Sequence, residues 1–544
     1  MLKHYFTTLT TAAVLIIGSF CEAAVIPAAS PAFKDVSDAV AQASPGDTGT
    51  VPAGTAVWTN GLTNNKDIHL VGAGIGQTVL IDEEYRIPWS FAFLIAWHPV
   101  ANGSVQLSGF TFQGGVTNKT SPQNGALYFG GFCSNVRIDH CRLENLHNEG
   151  IWIEGAVFGV IDHCEFYQTN WDNAISIENG GIGGDTGNGG LGYGDKSWAT
   201  PVLWGQTNEF VYIEDCSFYN PAGPAVDDFA KGSRVVFRYN SCTNTFFQNH
   251  GTESSQRNRG GRAFEVYGNK FIVNNNVGQP NTPLFFRSGS GLIFSNTFSG
   301  YSQFWSLVNF RSVDAYDPWG SANGQNPWDS NNPTMLQSGT HTGSTATGHL
   351  TDDNANWIVN QWVGGYTVQN TSLGGTNRGG YSLIYSNDAH NIYYLASVYS
   401  GFMNFATGQT YAIYQTYAQL DQIGRGQGNL IADSSFGNGI PVNTVTGQPS
   451  WPNEVSDPVY QWANSYNGVA NYAYGETVAG YDIRLNRDYY DNTPKPGYTP
   501  LAYPHPLVSG LTPPNSFPPT ASPPTNTVPE NPLAPPSGLS VFKH

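Results

Sequence analysis

Two stretches of sequence decide the fold: Ile138-Asp-His-Cys-Arg-Leu-Glu-Asn145 and its copy Ile161-Asp-His-Cys-Glu-Phe-Tyr167. The pattern returns as Ile213-Glu-Asp-Cys-Ser-Phe-Tyr-Asn220 and again as Phe237-Arg-Tyr-Asn-Ser-Cys242. Apolar and polar residues alternate within each copy, which is typical of a β-strand. Similar strands that recur at intervals of a few tens of residues are the sequence signature of a repeat architecture. The pattern therefore predicts a β-solenoid of stacked coils.

A second short strand lies between successive copies of the first. Its copies are Asn148-Glu-Gly-Ile-Trp-Ile-Glu154, Asp172-Asn-Ala-Ile-Ser-Ile-Glu178, Gly223-Pro-Ala-Val-Asp-Asp228 and Asn249-His-Gly-Thr-Glu-Ser254. Equivalent residues of neighbouring coils should stack about 4.8 Å apart. We predict an all-β protein, a parallel β-helix, with Cys141, Cys164, Cys216 and Cys242 as an inward ladder of free thiols. Side chains stacked in parallel do not have disulfide geometry.

Composition narrows the range of functions. Only 12% of the residues are charged, 13% are aromatic, and the formal net charge is -17. This acidity argues against nucleic acid and anionic membranes as partners. The N-terminal run Thr11-Ala-Ala-Val-Leu-Ile-Ile17 follows Lys3 and is too short to span a bilayer. We expect residues 1–23 to be a signal peptide, which predicts a secreted, periplasmic or cell-surface protein without membrane insertion.

The rest of the chain divides into four segments that differ in composition and in the pattern of apolar residues. Residues 24–335 are predicted to form the β-helix with an N-terminal capping helix over Phe33-Lys-Asp-Val-Ser-Asp-Ala-Val-Ala-Gln-Ala43. Residues 336–415 are predicted to be a small inserted β module, because short apolar strands alternate there with Gly and Asn turns. Residues 416–512 should return to the β-helix and cover its end. Residues 513–544 are rich in Pro, Ser and Thr, which predicts an extended, disordered tail.

The first coils resemble a known superfamily. The segment Asp47-Thr-Gly-Thr-Val-Pro-Ala-Gly54 and the later run Ile68-His-Leu-Val-Gly-Ala-Gly-Ile-Gly-Gln-Thr-Val-Leu-Ile81 are similar to the entry of pectate-lyase-like proteins. The resemblance implies that the helix is right-handed and that a small helix closes its open end. An open end would otherwise expose an unpaired edge and an uncovered core.

A candidate site follows from alignment of the second strands. The alignment puts Trp152, Ser176, Asp227 and Glu253 in one outward column and makes Ile151, Ile175, Val226 and Thr252 the inward one. Two carboxylates one rung apart, Asp227 and Glu253, could hold a calcium ion. They could equally act as the close acid and nucleophile of a retaining glycosidase. The sequence leaves both uses open.

Basic residues gather beside these carboxylates. Between Lys231 and Arg287 the chain has eight Lys or Arg and two acidic residues, a local charge of +6. Arginine suits bidentate binding of carboxylate or sulfate, so we predict that Arg259 and Arg287 bind an acidic sugar. Trp152 and Trp198 are predicted as sugar-stacking residues. The competing interpretation is that these charges form structural ion pairs at the coil corners.

The superfamily resemblance implies two reaction types. Pectate-lyase-like enzymes use an Arg or Lys base with acid-bound calcium, which here would be Arg257, Arg259 or Arg262 with Asp227 and Glu253. Polygalacturonase-like hydrolases carry an Asp-Asp pair, then His-Gly, then a basic motif. Asp227-Asp228, His250-Gly251 and the arginines 257–262 follow that order, although the Asn-Thr-Asp and Arg-Ile-Lys motifs are missing. We therefore expect a polysaccharide lyase or glycoside hydrolase. The alternative is a non-catalytic solenoid that binds glycans or belongs to the cell envelope.

Overall fold

The computed structural model of the chain describes residues 23–85, 92–99, 103–115, 125–146, 149–168, 173–179, 197, 201–206, 209–220, 223–250, 260–274, 282–304, 306–307, 335–363, 366–373, 381–394, 397–398, 401–402, 404–415, 423–429, 453–473, 483, 485–486 and 488–510. The predicted signal peptide up to residue 22 and the predicted tail lie outside these residues. No helix among the described residues is long and apolar enough to cross a membrane.

Three parallel sheets, one strand per coil, form the solenoid. Sheet A contains Leu62–Asn64, Phe93–Trp97, the first parts of Gly125–Asp139 and Glu149–Asp162, Ile175–Glu178, Val226–Ala230, Phe247–Asn249, Leu284–Phe286 and Ser306–Leu307. Sheet B contains Val25–Pro27, Thr48–Thr50, His69–Val71, Val105–Ser108, the second parts of the two long strands, Val211–Glu214, Arg234–Arg238, Ala263–Tyr267, Ser290–Phe294, Val459–Trp462 and Tyr489–Tyr490.

Sheet C is the third side of the solenoid. Its strands are Gly54–Trp58, Thr78–Asp82, Thr111–Gly114, Arg142–Glu144, Glu165–Tyr167, Ser217–Tyr219, Ser241–Thr243, Lys270–Ile272, Thr297–Ser299 and Ser465–Tyr466, with Val469–Ala470 added antiparallel. Every other pairing in the three sheets is parallel, and one continuous apolar core lies between them. The predicted right-handed parallel β-helix, the fold of the pectate-lyase-like superfamily, is confirmed.

The cysteine ladder is shorter than predicted. Cys141, Cys164 and Cys216 stack on successive coils as free, buried thiols. Cys242 does not continue this ladder, because it pairs in register with Phe218. The residue that takes the place of the next cysteine is Asn240, whose side-chain Oδ1 accepts the Cys216 backbone N–H at 2.9 Å. The prediction for Cys242 was therefore wrong by two positions in register.

An asparagine ladder continues where the thiols end. Asn240, Asn269, Asn296 and Asn464 stack on four successive coils. Each of the last three has a side-chain oxygen that accepts the backbone N–H of the asparagine one coil earlier, at 2.9 to 3.0 Å. Side-chain amides here satisfy buried backbone groups that the turn between sheets B and C would leave unpaired.

The N-terminal cap is the helix Phe33–Gln42. It buries Val36, Ala39 and Val40 against the first coils. The side chain of Lys66 caps the C-terminal end of this helix. Its ammonium group donates to the carbonyl oxygens of Val40 and Ala43 at 2.9 and 2.8 Å. A lysine at a helix C-terminus satisfies carbonyls that have no partner within the helix.

The part of the chain that follows the solenoid strand Ser306–Leu307 and precedes Val459–Trp462 in sequence forms a separate antiparallel sheet. Its strands are Met335–Thr340, His349–Thr351, Tyr366–Asn370, Tyr381–Asn387, Asn391–Tyr394 and Thr410–Gln415. Short pairs accompany it: Ala346–Thr347 with Asn404–Phe405, Ser397–Val398 with Gly401–Phe402, and Arg425–Asn429 with Asn453–Ser456; Thr371–Leu373 is a 3₁₀ turn. Its apolar residues form a cluster of their own, including Leu350, Trp357 and Ile413.

The outer face of sheet B is covered by residues 491–510, which we call the C-terminal strap; it ends in the short helix Pro506–Gly510. Arg238 donates to the Leu501 carbonyl at 2.8 Å. The Tyr498 hydroxyl bonds Glu265, and the His505 backbone N–H donates to Glu214 at 2.8 Å. The strap thus lies along one side of the solenoid and is held by buried polar groups.

Candidate functional site

The predicted outward column on sheet A is correct over three coils. Trp152 pairs with Ser176, and Ser176 pairs with Asp227. On the next coil the inward partner of Val226 is Phe247, whereas the alignment had predicted Thr252. The predicted stacking of Glu253 on Asp227 stays a prediction. A bulge in the strand Val226–Ala230 accompanies this change of register. Glu253 itself lies outside the described residues.

Asp227 lies instead beside His250 and Arg287. Its Oδ1 is 2.9 Å from His250 Nε2 and 3.9 Å from an Arg287 terminal nitrogen. The His250 side chain is 15% exposed and that of Arg287 is 11% exposed, so both reach solvent while Asp227 is almost covered. A buried carboxylate that bonds one ring nitrogen of a histidine fixes the orientation and the tautomer of the ring.

Backbone and side-chain contacts fix Arg287 in place. Its Nε donates to the Asn249 carbonyl and its backbone N–H to Asn249 Oδ1, both at 2.7 Å. The fully buried Asn249 in turn donates to the Ser288 carbonyl. The guanidinium group lies over the Phe285 ring at 5.5 Å from its centroid. Because the strands Phe247–Asn249 and Leu284–Phe286 end just before His250 and Arg287, the turns after them bring both side chains to the same edge of sheet A.

A second polar cluster lies on the preceding coils. Lys231 Nζ is 2.5 Å from Glu178 Oε2 and 3.8 Å from Glu154 Oε1. The Tyr128 hydroxyl donates to Glu154 Oε2 at 2.7 Å. Burial raises the pKa of Tyr128, and the nearby charges of Glu154 and Glu178 raise it further, so the hydroxyl stays protonated. Lys231 adopts a φ of +52°, a left-handed conformation that is uncommon for a non-glycine residue.

These two clusters form one row parallel to the solenoid axis. Glu154 pairs with Glu178, and Glu178 pairs with Ala230. His250 follows the pair Phe229 and Asn249, which places it beside Ala230. Arg287 occupies the corresponding position on the next coil, two residues after the pair Gln248 and Phe285. We call this the axial row: Glu154, Glu178, Lys231 with Asp227, His250 and Arg287. Five rungs at about 4.8 Å give it a length of roughly 19 Å.

Sequence reasoning missed Glu154, Glu178, Lys231 and Tyr128 as members of a site. The signal was present, since both second-strand copies end in Ile-x-Ile-Glu, at Ile151-Trp-Ile-Glu154 and Ile175-Ser-Ile-Glu178. Alternation along a strand puts the glutamate on the same outward face as Trp152 or Ser176. A carboxylate repeated at an outward position was therefore visible as a candidate.

Three arginines of the predicted basic cluster, Arg234, Arg238 and Arg262, are buried. Arg238 is completely buried and bonds Glu214 at 2.6 Å. Arg262 is 1% exposed and donates to Ser290 and Asp457 at 3.1 and 3.2 Å. Arg234 bonds Glu209, and burial together with the charge of Arg262 lowers its pKa to about 10. The structure therefore does not support Arg262 as the proton acceptor, and these arginines form internal ion pairs on the sheet B side.

The other predicted site residues fall into two groups. Trp152 is 5% exposed and packs edge-on against Phe93, with ring centroids 6.0 Å apart, so it is not an open sugar-stacking platform. Asp228 is part of the strand Val226–Ala230, but its side chain is outside the description. Arg257, Arg259 and Trp198 also lie outside the described residues, so their predicted roles stay predictions.

The predicted calcium ligands do not form a recognisable site among the described residues. In that part of the chain no group of three or more His, Cys, Asp and Glu side chains lies close enough to hold a metal ion. Asp227 directs Oδ1 at His250. Glu253, the other predicted ligand, lies outside the described residues, so the calcium site stays a prediction and no chemical step below depends on it.

No family model and no curated protein matches the chain. Among solved structures it is similar to an alginate lyase from Paenibacillus sp. str. FPU-7, with 12% identity, a TM-score of 0.32, and coverage of 52% of this chain and 98% of that one.

Two further solved structures resemble this chain to a similar extent. ORF18 of Geobacillus virus E2 has 12% identity and a TM-score of 0.30, and the match covers 78% of this chain and 82% of that one. The A-module of the Azotobacter vinelandii mannuronan C-5 epimerase AlgE4 has 12% identity and a TM-score of 0.23, with 48% and 90% covered. Identities and TM-scores this low support no argument about function. The fold is therefore assigned from the strand pairing, and the function is argued from the side chains of the axial row.

Proposed function

We propose that this protein binds an acidic polysaccharide along the axial row and cleaves it by β-elimination, with His250 as the group that moves the proton. The observation that carries the proposal is the His250–Asp227 contact of 2.9 Å beside Arg287. An oriented base next to a fixed cation is what removal of a proton adjacent to a carboxylate requires.

The elimination needs no other reactant, because all protons and electron pairs move between the substrate and one histidine. His250 takes the proton on C5 of a uronate residue at Nδ1, the ring nitrogen that does not bond Asp227; this atom is buried, so the substrate must displace what covers it. The electron pair of that C–H bond forms a C4–C5 double bond, and the bond from C4 to the glycosidic oxygen breaks. The protonated His250 then returns its proton to the departing oxygen. Asp227 holds the ring and stabilises its protonated form, as a buried carboxylate does for a catalytic histidine.

Arg287 has a separate role in this proposal. Its guanidinium group, held by Asn249, binds the carboxylate of the uronate that loses its proton. Negative charge develops on that carboxylate in the transition state, so a positioned cation stabilises it more than the ground state. Calcium could assist such a reaction, but calcium binding by Asp227 and Glu253 stays a prediction.

The test is a panel of polysaccharides with wild-type protein and His250→Ala. We expect ultraviolet absorbance from the new double bond with at least one uronate polymer. Loss of a general base should slow this by roughly 10²- to 10⁴-fold. The matched control is His390→Ala, at an exposed histidine of the separate antiparallel sheet, which should keep wild-type activity.

Other outcomes identify the competing functions. New reducing ends without ultraviolet absorbance would mean hydrolysis and would contradict elimination. Binding of the polymers without any product would instead support the non-catalytic glycan-binding alternative. We propose that the protein acts outside the cytoplasm, which rests on the predicted signal peptide. Detection of the protein in the culture medium or periplasm tests that part.

A further inference from the structure

We propose that the chain is cut between Ala23 and Ala24, and that the amino group released on Ala24 forms an ion pair with Asp47 that anchors the first strand of the solenoid. The inference rests on the predicted signal peptide and does not depend on the proposed reaction. It identifies the bond that is cut and the residue that receives the new chain end. The observation behind it is a covered carboxylate that has hydrogen bonds but no cationic partner among the described residues.

Asp47 is 9% exposed, and its side chain bonds two backbone N–H groups. Oδ1 accepts from Ala24 at 2.7 Å, and Oδ2 accepts from Ser44 at 2.8 Å. These bonds, the one from Ser44 first, lower the pKa of Asp47, so the carboxylate is charged at neutral pH. In the part of the chain that the structure describes, no Lys, Arg or His side chain pairs with it. Carboxylates with so little exposure are rare in proteins unless they are paired.

Cleavage supplies the missing charge at the same atom. In the uncut chain the nitrogen of Ala24 belongs to a neutral peptide group. A signal peptidase adds one water across the Ala23–Ala24 bond, which leaves a carboxylate on Ala23 and an amino group on Ala24. An α-amino group has a pKa of about 7.7 to 8.0 and takes up a proton at neutral pH. Because this nitrogen already lies 2.7 Å from Asp47 Oδ1, a length typical of a hydrogen bond between charged groups, the ion pair forms without movement of the chain.

The sequence and the exposure around this bond suit such a cut. Cys21 and Ala23 are small residues at the third and first positions before it, as signal peptidases require, and the apolar run that ends at Ile17 lies upstream. Ala23 and Ala24 are exposed, and the first strand begins at the next residue, Val25. A cut at this bond therefore leaves every described strand intact.

The first strand depends strongly on an anchor at its start. Val25–Pro27 is the first rung of the solenoid and pairs with Thr48–Thr50. The Thr48 N–H also donates to the Ala24 carbonyl at 2.8 Å. Strands at a chain end open more readily than strands in the interior of a fold. An ion pair at Ala24 therefore resists the opening of this strand.

The experiment is a double-mutant cycle between the chain end and Asp47. Protein that starts at Ala24, released from a cleavable fusion, is compared with an extended form that carries Gly-Ser-Gly before Ala23, in which the Ala24 nitrogen is again a peptide N–H. Each form is made with Asp47 and with Asp47→Asn, and hydrogen exchange is measured for peptides covering Val25–Pro27. We expect Asp47→Asn to reduce protection about 3-fold more in the form that starts at Ala24, because only that form loses an ion pair near solvent.

The matched control is Asp38→Asn on the capping helix, where Asp38 pairs with Lys34. This change should act equally in both forms. Equal loss of protection from Asp47→Asn in the two forms would overturn the ion pair.

The cut itself is tested by expression of the full chain and intact-mass spectrometry. We expect the exported protein to begin at Ala24. A different first residue, or a chain that retains residues 1–23 in every cell fraction, overturns the proposal. Failure of the proposed reaction would appear separately, because a protein that forms no unsaturated product leaves both of these results unchanged.

Discussion

Arg287 shows how much of the site depends on the placement of single residues. Its Nε and backbone N–H both bond Asn249, so the guanidinium group cannot follow a substrate freely. We predict that Arg287→Lys raises KM about 10-fold with a smaller effect on kcat, since lysine keeps the charge but loses the planar, bidentate fork. Steady-state kinetics on a uronate polymer provide the measurement.

The control for this substitution is Arg142→Lys. Arg142 is a partly exposed arginine of sheet C that pairs with Glu165 at 2.7 Å. It should leave both constants at wild-type values. An unchanged KM in Arg287→Lys would contradict a carboxylate-binding role for Arg287.

Individual residues also show where reasoning from sequence succeeds and fails. Trp152, Ser176 and Asp227 were placed correctly because their coils share an inward isoleucine or valine directly before them. The inward partner of Val226 was predicted wrongly because the next coil begins its strand at Phe247, and the bulge after Val226 changes the register. The sequence pattern gives no direct signal for a β-bulge. The contact of Asp227 with His250 therefore could not be predicted from it.

At the scale of single elements, the C-terminal strap contains a histidine that must stay neutral. The Leu507 backbone N–H donates to His505 Nδ1 at 3.2 Å, and the ring packs on Tyr212 at 4.7 Å between centroids. Burial, together with the charges of Arg238 and Arg137 and against an opposing effect of Asp162, lowers the pKa of His505 to about 4. Glu214, whose carboxylate accepts the His505 backbone N–H, faces the same segment.

The sign of the pH dependence follows from that lowered pKa. The unfolded histidine has a pKa near 6.5, so between roughly pH 6.5 and 4 the released strap binds more protons than the docked strap. The stability that neutral His505 provides is complete above that window and is lost as the pH falls through it. We predict that hydrogen-exchange protection of residues 494–510 falls from pH 7 to pH 4.5.

His505→Gln should remove most of this pH dependence, because glutamine does not titrate. Peptides from Thr78–Asp82, on sheet C away from the strap, serve as the internal control and should keep their protection. Protection of the strap that stays constant down to pH 4.5 in wild type would show that His505 is not the controlling group.

Some elements of this fold can be predicted from their local sequence, and others cannot. The solenoid strands were predictable because each coil repeats the same inward apolar positions. The position of the strap was not, because it contacts sheet B through hydrogen bonds between residues far apart in sequence, such as Tyr498 with Glu265 and Arg238 with the Leu501 carbonyl. Such contacts follow no local period.

At the scale of the whole molecule, the chain has more than one core. The solenoid core and the cluster around Leu350, Trp357 and Ile413 are separate sets of buried residues. This division agrees in outline with the predicted inserted module at residues 336–415, whose boundaries stay a prediction. Regions that do not share buried contacts can unfold separately.

Phe264→Ala tests that separation. Phe264 is fully buried in the solenoid and stacks on Phe286 with centroids 3.8 Å apart. Its truncation should cost about 3 to 5 kcal/mol. We predict loss of hydrogen-exchange protection in the solenoid strands and unchanged protection in Asn391–Tyr394. Ile392→Ala should produce the reverse pattern. Simultaneous loss of protection in both regions would show that they form one cooperative unit.

The central claim is that Asp227 and His250 act as one proton-transfer unit on a uronate polymer, and a double-mutant cycle tests it most directly. The measurement is kcat/KM for release of unsaturated product by wild type, Asp227→Asn, His250→Ala and the double variant. If the two residues act together, each single change is severe and the double variant is no slower than His250→Ala alone. Losses that multiply in the double variant, or a His250→Ala protein as active as wild type, would contradict the claim.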